Sequence, residues 1–291
     1  MSEKILTLGL PSGSLKELTL DLMRRAGYQV RSSERSYFPH VDSREIECRL
    51  FRAQEMSLYV EDAVVDVGLT GKDWIEENAS DVVEVAQLVY SKQFLAPCKW
   101  VIAVRNDSPV TKVEDLAGKL VATELLNVTK RYFEAKHIPA RVEYSYGGTE
   151  AKADFVDAIV DITETGSSLR SNNLRIVDTV METTTRMIAN KAAWQDPWKR
   201  RKIENLATLL QGAIIAREKV GLKMNVPSNK LDEVLSALPA LRCPTVSPLA
   251  GESGYAVETI LDESVARDII PELKRAGAEG IVEYPLNKVI L

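Results

Sequence analysis

Histidine, cysteine and long apolar runs are all scarce in this chain of 291 residues. Its two histidines, His40 and His137, lie far apart, which excludes a His-rich metal centre. Its three cysteines, Cys48, Cys98 and Cys243, have neither pairing nor metal spacing. That pattern fits a reducing compartment and core positions rather than a disulfide framework. No apolar stretch approaches the roughly 18 residues of a membrane span, and "MSEKILTLGL" has no apolar segment of signal-peptide length. A cytoplasmic protein without membrane contact is expected. Basic charge is not in excess either: 37 Lys and Arg stand against 42 Asp and Glu, a net charge of −5, so a general nucleic-acid binder is not expected. What remains, 45% hydrophobic and 27% charged residues, is a globular composition long enough for two or three domains.

Strand and helix signals alternate along the chain. "KILTLGLPSGSLKELTLDLMRRAG" reads as a strand, a Pro-Ser-Gly turn and a helix with Leu15, Leu18, Leu22 and Met23 on one stripe. Ser14 and Glu17 suit a capping box, and Gly27 a helix stop. "EIECRLFR" alternates as a half-exposed strand, a helix follows around Met56, Tyr59, Val60 and Ala63, and "VVDVGLTG" is a strand with its loop. A second series begins near residue 94: strand "CKWVIAVR", short capped helix "TKVEDLAGK", strand "LVAT", helix "NVTKRYFEAKHI" and strand "ARVEYSY". Two such series imply two α/β lobes with a cleft between them, where ligands collect beyond the carboxyl ends of the strands. After a long helix in "PWKRRKIENLATLLQGAIIAREK", with a stripe of Ile203, Leu206, Leu210, Ala213 and Ile214, the order from residue 222 is β-α-β-β-α-β, the ferredoxin-like order.

The stretch "DAIVDITETGSSL", Asp157–Leu169, concentrates chemistry. An apolar run bounded by Asp157 and Asp161 leads into Thr163-Glu164-Thr165-Gly166-Ser167-Ser168. A strand feeding a hydroxyl-rich turn with one glycine suits an anion, because free N–H groups at a helix start carry partial positive charge. The same stretch also reads as an ordinary strand-to-helix turn capped by Ser or Thr.

Taken together, "LPSGSL", "VEDAVVDVGLTGKDW", "VATELLNVTKRYF", "DAIVDITETGSSLRSNNL" and "LPALRCPTVSPLAGESGYAVET" resemble long-form ATP phosphoribosyltransferases, the family that begins histidine biosynthesis. The resemblance implies two lobes of the type II periplasmic-binding-protein kind, residues 1–93 with a return segment 182–216, and residues 94–181. A ferredoxin-like regulatory domain, residues 217–291, follows. It implies ATP and 5-phosphoribosyl-1-pyrophosphate (PRPP) as substrates, N1-(5-phosphoribosyl)-ATP and pyrophosphate as products, Mg2+ as cofactor, histidine as feedback inhibitor and a homo-oligomer from dimer to hexamer.

Carried onto this sequence, the resemblance gives Thr165, Gly166, Ser167 and Ser168 the donor's 5-phosphate and Asp161 the ribose hydroxyls, with Asp157 and Glu164 beside it. Asp157 also suits a solvated strand end. Arg52 is implied to reach the polyphosphate, of its own or of a neighbouring subunit; Arg49 is a second candidate that equally suits an exposed strand. Ser12, Gly13, Gly71 and Lys72 are implied on the nucleotide side, although "GLTG" also reads as a tight turn. The family's first loop commonly reads Pro-Lys-Gly-Arg-Leu, whereas Pro-Ser-Gly-Ser-Leu stands here, so Ser12 and Ser14 cannot supply those charges. Asn225, Thr245, Ser247 and Gly280 are implied to meet histidine, and Pro244 and Pro248 would equally blunt a sheet edge. No protein side chain is assigned as a direct metal ligand. The developing positive charge on the ribose calls for carboxylates and the leaving pyrophosphate for cations, whereas adenine N1 needs orientation rather than a base. No histidine is therefore assigned to catalysis, and His137 suits the carboxyl end of a helix.

A bilobal small-molecule-binding protein without catalysis is the competing reading, since "VEDLAGKLVAT" also resembles the second lobe of solute-binding proteins. A ligand-sensing regulator would need a basic helix-turn-helix segment, which the sequence does not display.

Overall fold

The computed structural model describes residues 4–32, 36–90, 96–238, 244–251 and 253–291. Cys243 lies outside the described residues; Cys48 is buried, as expected, and Cys98 is half-buried. The chain divides into two units, Met1–Ala207 and Thr208–Leu291.

The first unit opens with β1 (Leu6–Pro11), whose Leu6, Leu8 and Leu10 are fully buried. A 3-10 turn, Gly13–Leu15, leads into α1 (Lys16–Ala26). Gly27 ends α1 at φ 104°, a left-handed conformation that costs glycine little. The expected Ser14–Glu17 box does not form. The 3-10 turn absorbs Ser14 and moves the cap position to Leu15, which has no side-chain hydrogen bond to offer.

Two short strands, β2 (Val30–Arg31) and β3 (His40–Val41), precede β4 (Ile46–Phe51), α2 (Ala53–Glu61), β5 (Val67–Gly71), α3 (Lys72–Asn78) and β6 (Val83–Leu88). Ala63 falls beyond α2, at φ 57°. Where Gly9 pairs with Gly68 across β1 and β5, a Cβ would meet the Met56 sulfur at 2.4 Å and 2.7 Å respectively. The two glycines thus let α2 lie directly on the sheet.

The second lobe contains β7 (Cys98–Arg105), β8 (Leu120–Thr123), α4 (Leu126–Ala135), β9 (Arg141–Tyr144), β10 (Ala158–Thr163), α5 (Ser167–Ser171) and β11 (Leu174–Thr183). The chain then returns through β12 (Thr185–Ala189), α6 (Lys191–Gln195) and α7 (Pro197–Ile215), within which the boundary of the units falls. The "TKVEDLAGK" segment contains a 3-10 turn, Val113–Leu116, rather than an α-helix, and the Asp115 carboxylate accepts from the Thr111 and Lys112 amides at its start.

The strand orders are β4-β1-β5-β12-β6 and β11-β7-β10-β8-β9. β1 runs parallel to β4 and β5, and β8 parallel to β9 and β10. In each sheet these parallel strands therefore deliver their carboxyl ends to one edge. Trp100, Ile102, Leu116, Val121, Leu125, Phe133 and Val160 centre the second lobe's core.

The second unit contains β13 (Lys219–Pro227), α8 (Leu231–Ala237), β14 (Thr245–Pro248), β15 (Gly254–Asp262), α9 (Glu263–Arg275) and β16 (Glu279–Pro285). Its sheet order, β14-β15-β13-β16 with antiparallel pairings, is that of a ferredoxin-like fold. Leu222, Met224, Val226, Val257 and Leu261 pack with Val234 of α8 and Ala266 and Leu273 of α9. The α/β class and the ferredoxin-like domain expected from the sequence both hold.

Candidate active site

The strand ends of the two lobes open on a cavity of about 480 Å3 in the first unit. From the first lobe, Ser12–Leu15 follow β1, Arg52–Gln54 follow β4, and Gly71, Asp73 and Trp74 follow β5. From the second come Glu124 after β8, Asp161–Thr165, Ser167 and Ser168 around the end of β10, and Cys98 and Trp100 at the start of the antiparallel β7. Tyr90 and Ala96, with Thr183–Thr185 at the return between the lobes, complete the wall.

Asp161 is the electrostatic centre of this wall. Burial pushes its carboxyl up to about 7, with Glu150 and Glu124 adding to the rise, against the lowering effect of the Ile162 amide that donates to it at 2.7 Å. The following loop is internally braced. The Gly166 amide donates to Thr163 Oγ1 at 2.8 Å, Thr165 Oγ1 donates to Ser167 Oγ at 3.0 Å, and Arg170 donates to the Thr165 carbonyl at 3.0 Å. Gly166 sits at φ 72°, and a Cβ there would come within 2.9 Å of the Arg170 guanidinium. Ser168 Oγ donates to Glu150 at 2.6 Å. Gly166 itself is buried beneath the loop, whereas Thr165, Ser167 and Ser168 are exposed to the cavity.

Asp73 fastens the floor. Its buried carboxylate accepts from Trp100 Nε1 at 2.7 Å and from Thr183 Oγ1 at 2.8 Å, joining both lobes and the return, and burial raises its pKa. Gly71 is glycine because a Cβ would lie 1.9 Å from an Asp73 carboxylate oxygen. Trp74 and Trp100 meet edge to face, with centroids 6.0 Å apart.

Several residues singled out from the sequence are placed elsewhere. Asp157 stands at the amino end of β10, away from the loop that follows Thr163. There it accepts from the Leu120 amide at 2.9 Å and pairs with Lys119, which lowers its pKa. Lys72 does not line the cavity: its ammonium lies 2.5 Å from Glu84 and 3.0 Å from Glu76. Arg49 sits within β4 and reaches the Val64 carbonyl at 3.5 Å. Arg52, by contrast, lines the cavity at the N-cap of α2 and is exposed. Asp73, Gln54, Glu124 and the two tryptophans had no assigned role. The hydroxyl run Thr183-Thr184-Thr185 was the one local sign of the return.

In the second unit, register sets Ser247, Ala256 and Asn225 in one row across β14, β15 and β13, and Thr245 opposite Glu258. Gly280 follows Glu279, the partner of Asn225 on β16, and a Cβ on it would stand 3.8 Å from the Asn225 amide nitrogen. Asn225, Thr245, Ser247 and Gly280 are all exposed. Among the described residues no group of three or more His, Cys, Asp or Glu side chains could cage a metal ion, and no helix is long and apolar enough to cross a membrane.

Comparison with known proteins follows the same two-unit division. Residues 52–212 match the family model for ATP phosphoribosyltransferase, and residues 216–288 match that for the HisG C-terminal domain. The ATP phosphoribosyltransferase of Solibacter usitatus is 57% identical over 99% of this chain and 100% of its own. That of Thermodesulfovibrio yellowstonii is 55% identical over the whole of both chains. Among solved structures, the ATP phosphoribosyl transferase (HisG:HisZ) complex from Thermotoga maritima superposes with a TM-score of 0.61 at 27% identity, over 72% of this chain and 98% of that one. By fold, by family match and by full-length similarity, the chain belongs to the ATP phosphoribosyltransferases, the transferases that begin histidine biosynthesis.

Proposed function

We propose that the cavity of the first unit binds PRPP on the loop that follows β10 and ATP between the first-lobe loops and the rest of the second-lobe wall, and joins adenine N1 to C1 of the ribose. Thr165, Gly166, Ser167 and Ser168 hold the 5-phosphate, Asp161 takes the ribose hydroxyls with Glu164 beside it, and Arg52 meets the pyrophosphate. Ser12, Gly13 and Gly71 border the nucleotide. The N1 lone pair forms the new C–N bond while the C1–O electron pair leaves with pyrophosphate, so no proton moves in that step. Positive charge on the ribose is then faced by carboxylate and negative charge on the leaving group by Arg52.

Magnesium fits this arrangement as a companion of the donor. An ion carried on phosphate oxygens needs only one or two protein carboxylates and keeps several waters, and Asp161 and Glu164 both line the cavity wall beside the Thr165–Ser168 loop. Asp161 and Glu164 would hold the ion, which when bound neutralises the departing pyrophosphate. The observation that carries the reading is the convergence of Arg52, Asp161 and the hydroxyl loop on one cavity from two separately folded sheets. For the second unit the reading is histidine binding at Asn225, Thr245, Ser247 and Gly280 as feedback inhibition, in a cytoplasmic homo-oligomer.

The test is direct: purified protein, ATP, PRPP and magnesium, followed by the near-ultraviolet absorbance of ribosylated adenine. Product is expected. Its absence with all three present would favour binding without catalysis. Replacing Thr165 and Ser168 together with alanine should raise KM for PRPP at least tenfold, since each hydrogen bond to a charged phosphate contributes about 1.5–3 kcal/mol.

A further inference from the structure

Glu124 lines the cavity with no cation within ion-pair distance among the described residues. Its one hydrogen bond there is a long one, 3.5 Å from the Gln54 side-chain amide on the facing lobe. The chain on either side of it is firmly placed. Before it, Thr123 is fully buried and its Oγ1 accepts from the Leu125 amide at 3.0 Å. After it, the Asn127 and Val128 amides donate to Glu77 of α3 at 2.8 Å and 2.9 Å.

Aromatic surface stands beside this acid. β8 and β9 pair Thr123 with Tyr144, and the chain from Tyr144 turns at Gly147, where a Cβ would stand 3.7 Å from a Glu124 carboxylate oxygen. Between them Tyr146 is 91% exposed, touching Tyr144 edge to face at 4.8 Å. An acceptor with one long hydrogen bond, next to a turn that carries an exposed ring, is complementary to a flat heteroaromatic base with an exocyclic amine.

We propose that Glu124 is the residue that selects adenine, accepting the N6 amino hydrogens while Tyr146 offers the base a stacking face, which leaves N1 free to attack. This rests on the cavity's reading as the site of phosphoribosyl transfer. As N1 gives its lone pair to C1 of the ribose and the C1–O pair departs with pyrophosphate, positive charge spreads over N1, C6 and N6. The base keeps both N6 hydrogens and no proton is transferred. A carboxylate opposite N6 therefore binds the transition state more tightly than neutral adenine, so Glu124 contributes to turnover as well as to selection.

The experiment compares ATP with purine riboside 5′-triphosphate, which lacks the 6-amino group but retains N1. Wild-type kcat/KM should favour ATP by at least about tenfold, the discrimination expected of a charged acceptor left without its donor. Glu124→Gln should lower kcat for ATP about tenfold and shrink the preference by a similar factor, with KM for PRPP held within about twofold. Binding of the two nucleotides to the wild-type protein, by titration calorimetry, gives the answer without any variant: equal affinity and equal turnover overturn the proposal. So does a preference unchanged in Glu124→Gln. Product formation from ATP by the wild type separates the two failures, because its loss overturns the transferase reading and this inference together, whereas its presence with no 6-amino preference overturns Glu124 alone.

Discussion

A carboxyl held near neutrality makes Asp161 a residue whose ionisation both activity and stability should report. Its folded pKa of about 7 stands above the ordinary value of 3.8, so between those values the folded chain retains a proton that the unfolded chain has lost. Stability from this group is fully present below pH 4 and is lost as pH rises through 7. Asp161→Asn removes the dependence. The variant should gain on wild type between pH 5 and pH 8 by about 1–2 kcal/mol, solvent in the open cleft screening most of a larger nominal shift. Denaturant midpoints at the two pH values measure it, and an identical difference at both would sink the assignment of the shift to Asp161. Activity runs the other way. If Asp161 takes the ribose hydroxyls, they donate to its ionised form, so wild-type kcat/KM for PRPP should rise through about pH 7, and the variant should be slow and flat across that range.

At the scale of elements, α3 does more than follow β5. Glu77, near its carboxyl end, caps the first turn of α4 in the other lobe by accepting the Asn127 and Val128 amides, while Asn127 Nδ2 and Arg131 donate to the Glu77 and Glu76 carbonyls at 3.1 Å and 2.6 Å. Glu77→Ala would bury two amide donors without partners and should cost about 1–3 kcal/mol, seen as a lower denaturant midpoint. Glu77→Gln, which keeps one acceptor, should lose less, and equal losses would argue that bulk rather than capping matters. None of this pairing is written locally. Apolar spacing located α1, α2, α4, α7 and the β-α-β-β-α-β order because burial of one face is a local pattern. Which end of a strand faces a ligand depends on partners far along the chain. Asp157 and Asp161 flank the same apolar run and look alike in sequence, and only the parallel pairing of β10 with β8 places Asp161 at the cavity and Asp157 against Leu120. Lys72 likewise neighbours the Gly71 turn in sequence, but the fold places Glu84, twelve residues on, within reach of its ammonium.

At the scale of the whole molecule the question is why a chain whose proposed transfer cavity is lined by residues of Met1–Ala207 continues into a second folded unit. The row Ser247, Ala256 and Asn225, with Thr245 one pair along, presents hydroxyl and amide groups on the exposed side of its sheet, the opposite side carrying the core with α8 and α9. Those groups suit the α-amino and α-carboxylate ends of an amino acid. If histidine binds there, it lowers turnover only by binding one conformational or quaternary state more tightly than another, typically by about 1–3 kcal/mol. It shares no chemistry with a ribosyl pyrophosphate, so saturating PRPP should leave the inhibition in place. Thr245→Ala removes an effector hydroxyl without touching Arg52, Asp161 or the Thr165–Ser168 loop, and uninhibited turnover should stay within about twofold of wild type. The histidine concentration for half-inhibition should rise about tenfold, the equivalent of one hydrogen bond to a charged ligand group. Titrating activity with histidine for both proteins decides between them: equal sensitivity would remove Thr245 from the effector site, and a wild type indifferent to histidine would leave the second unit with some task other than sensing the amino acid.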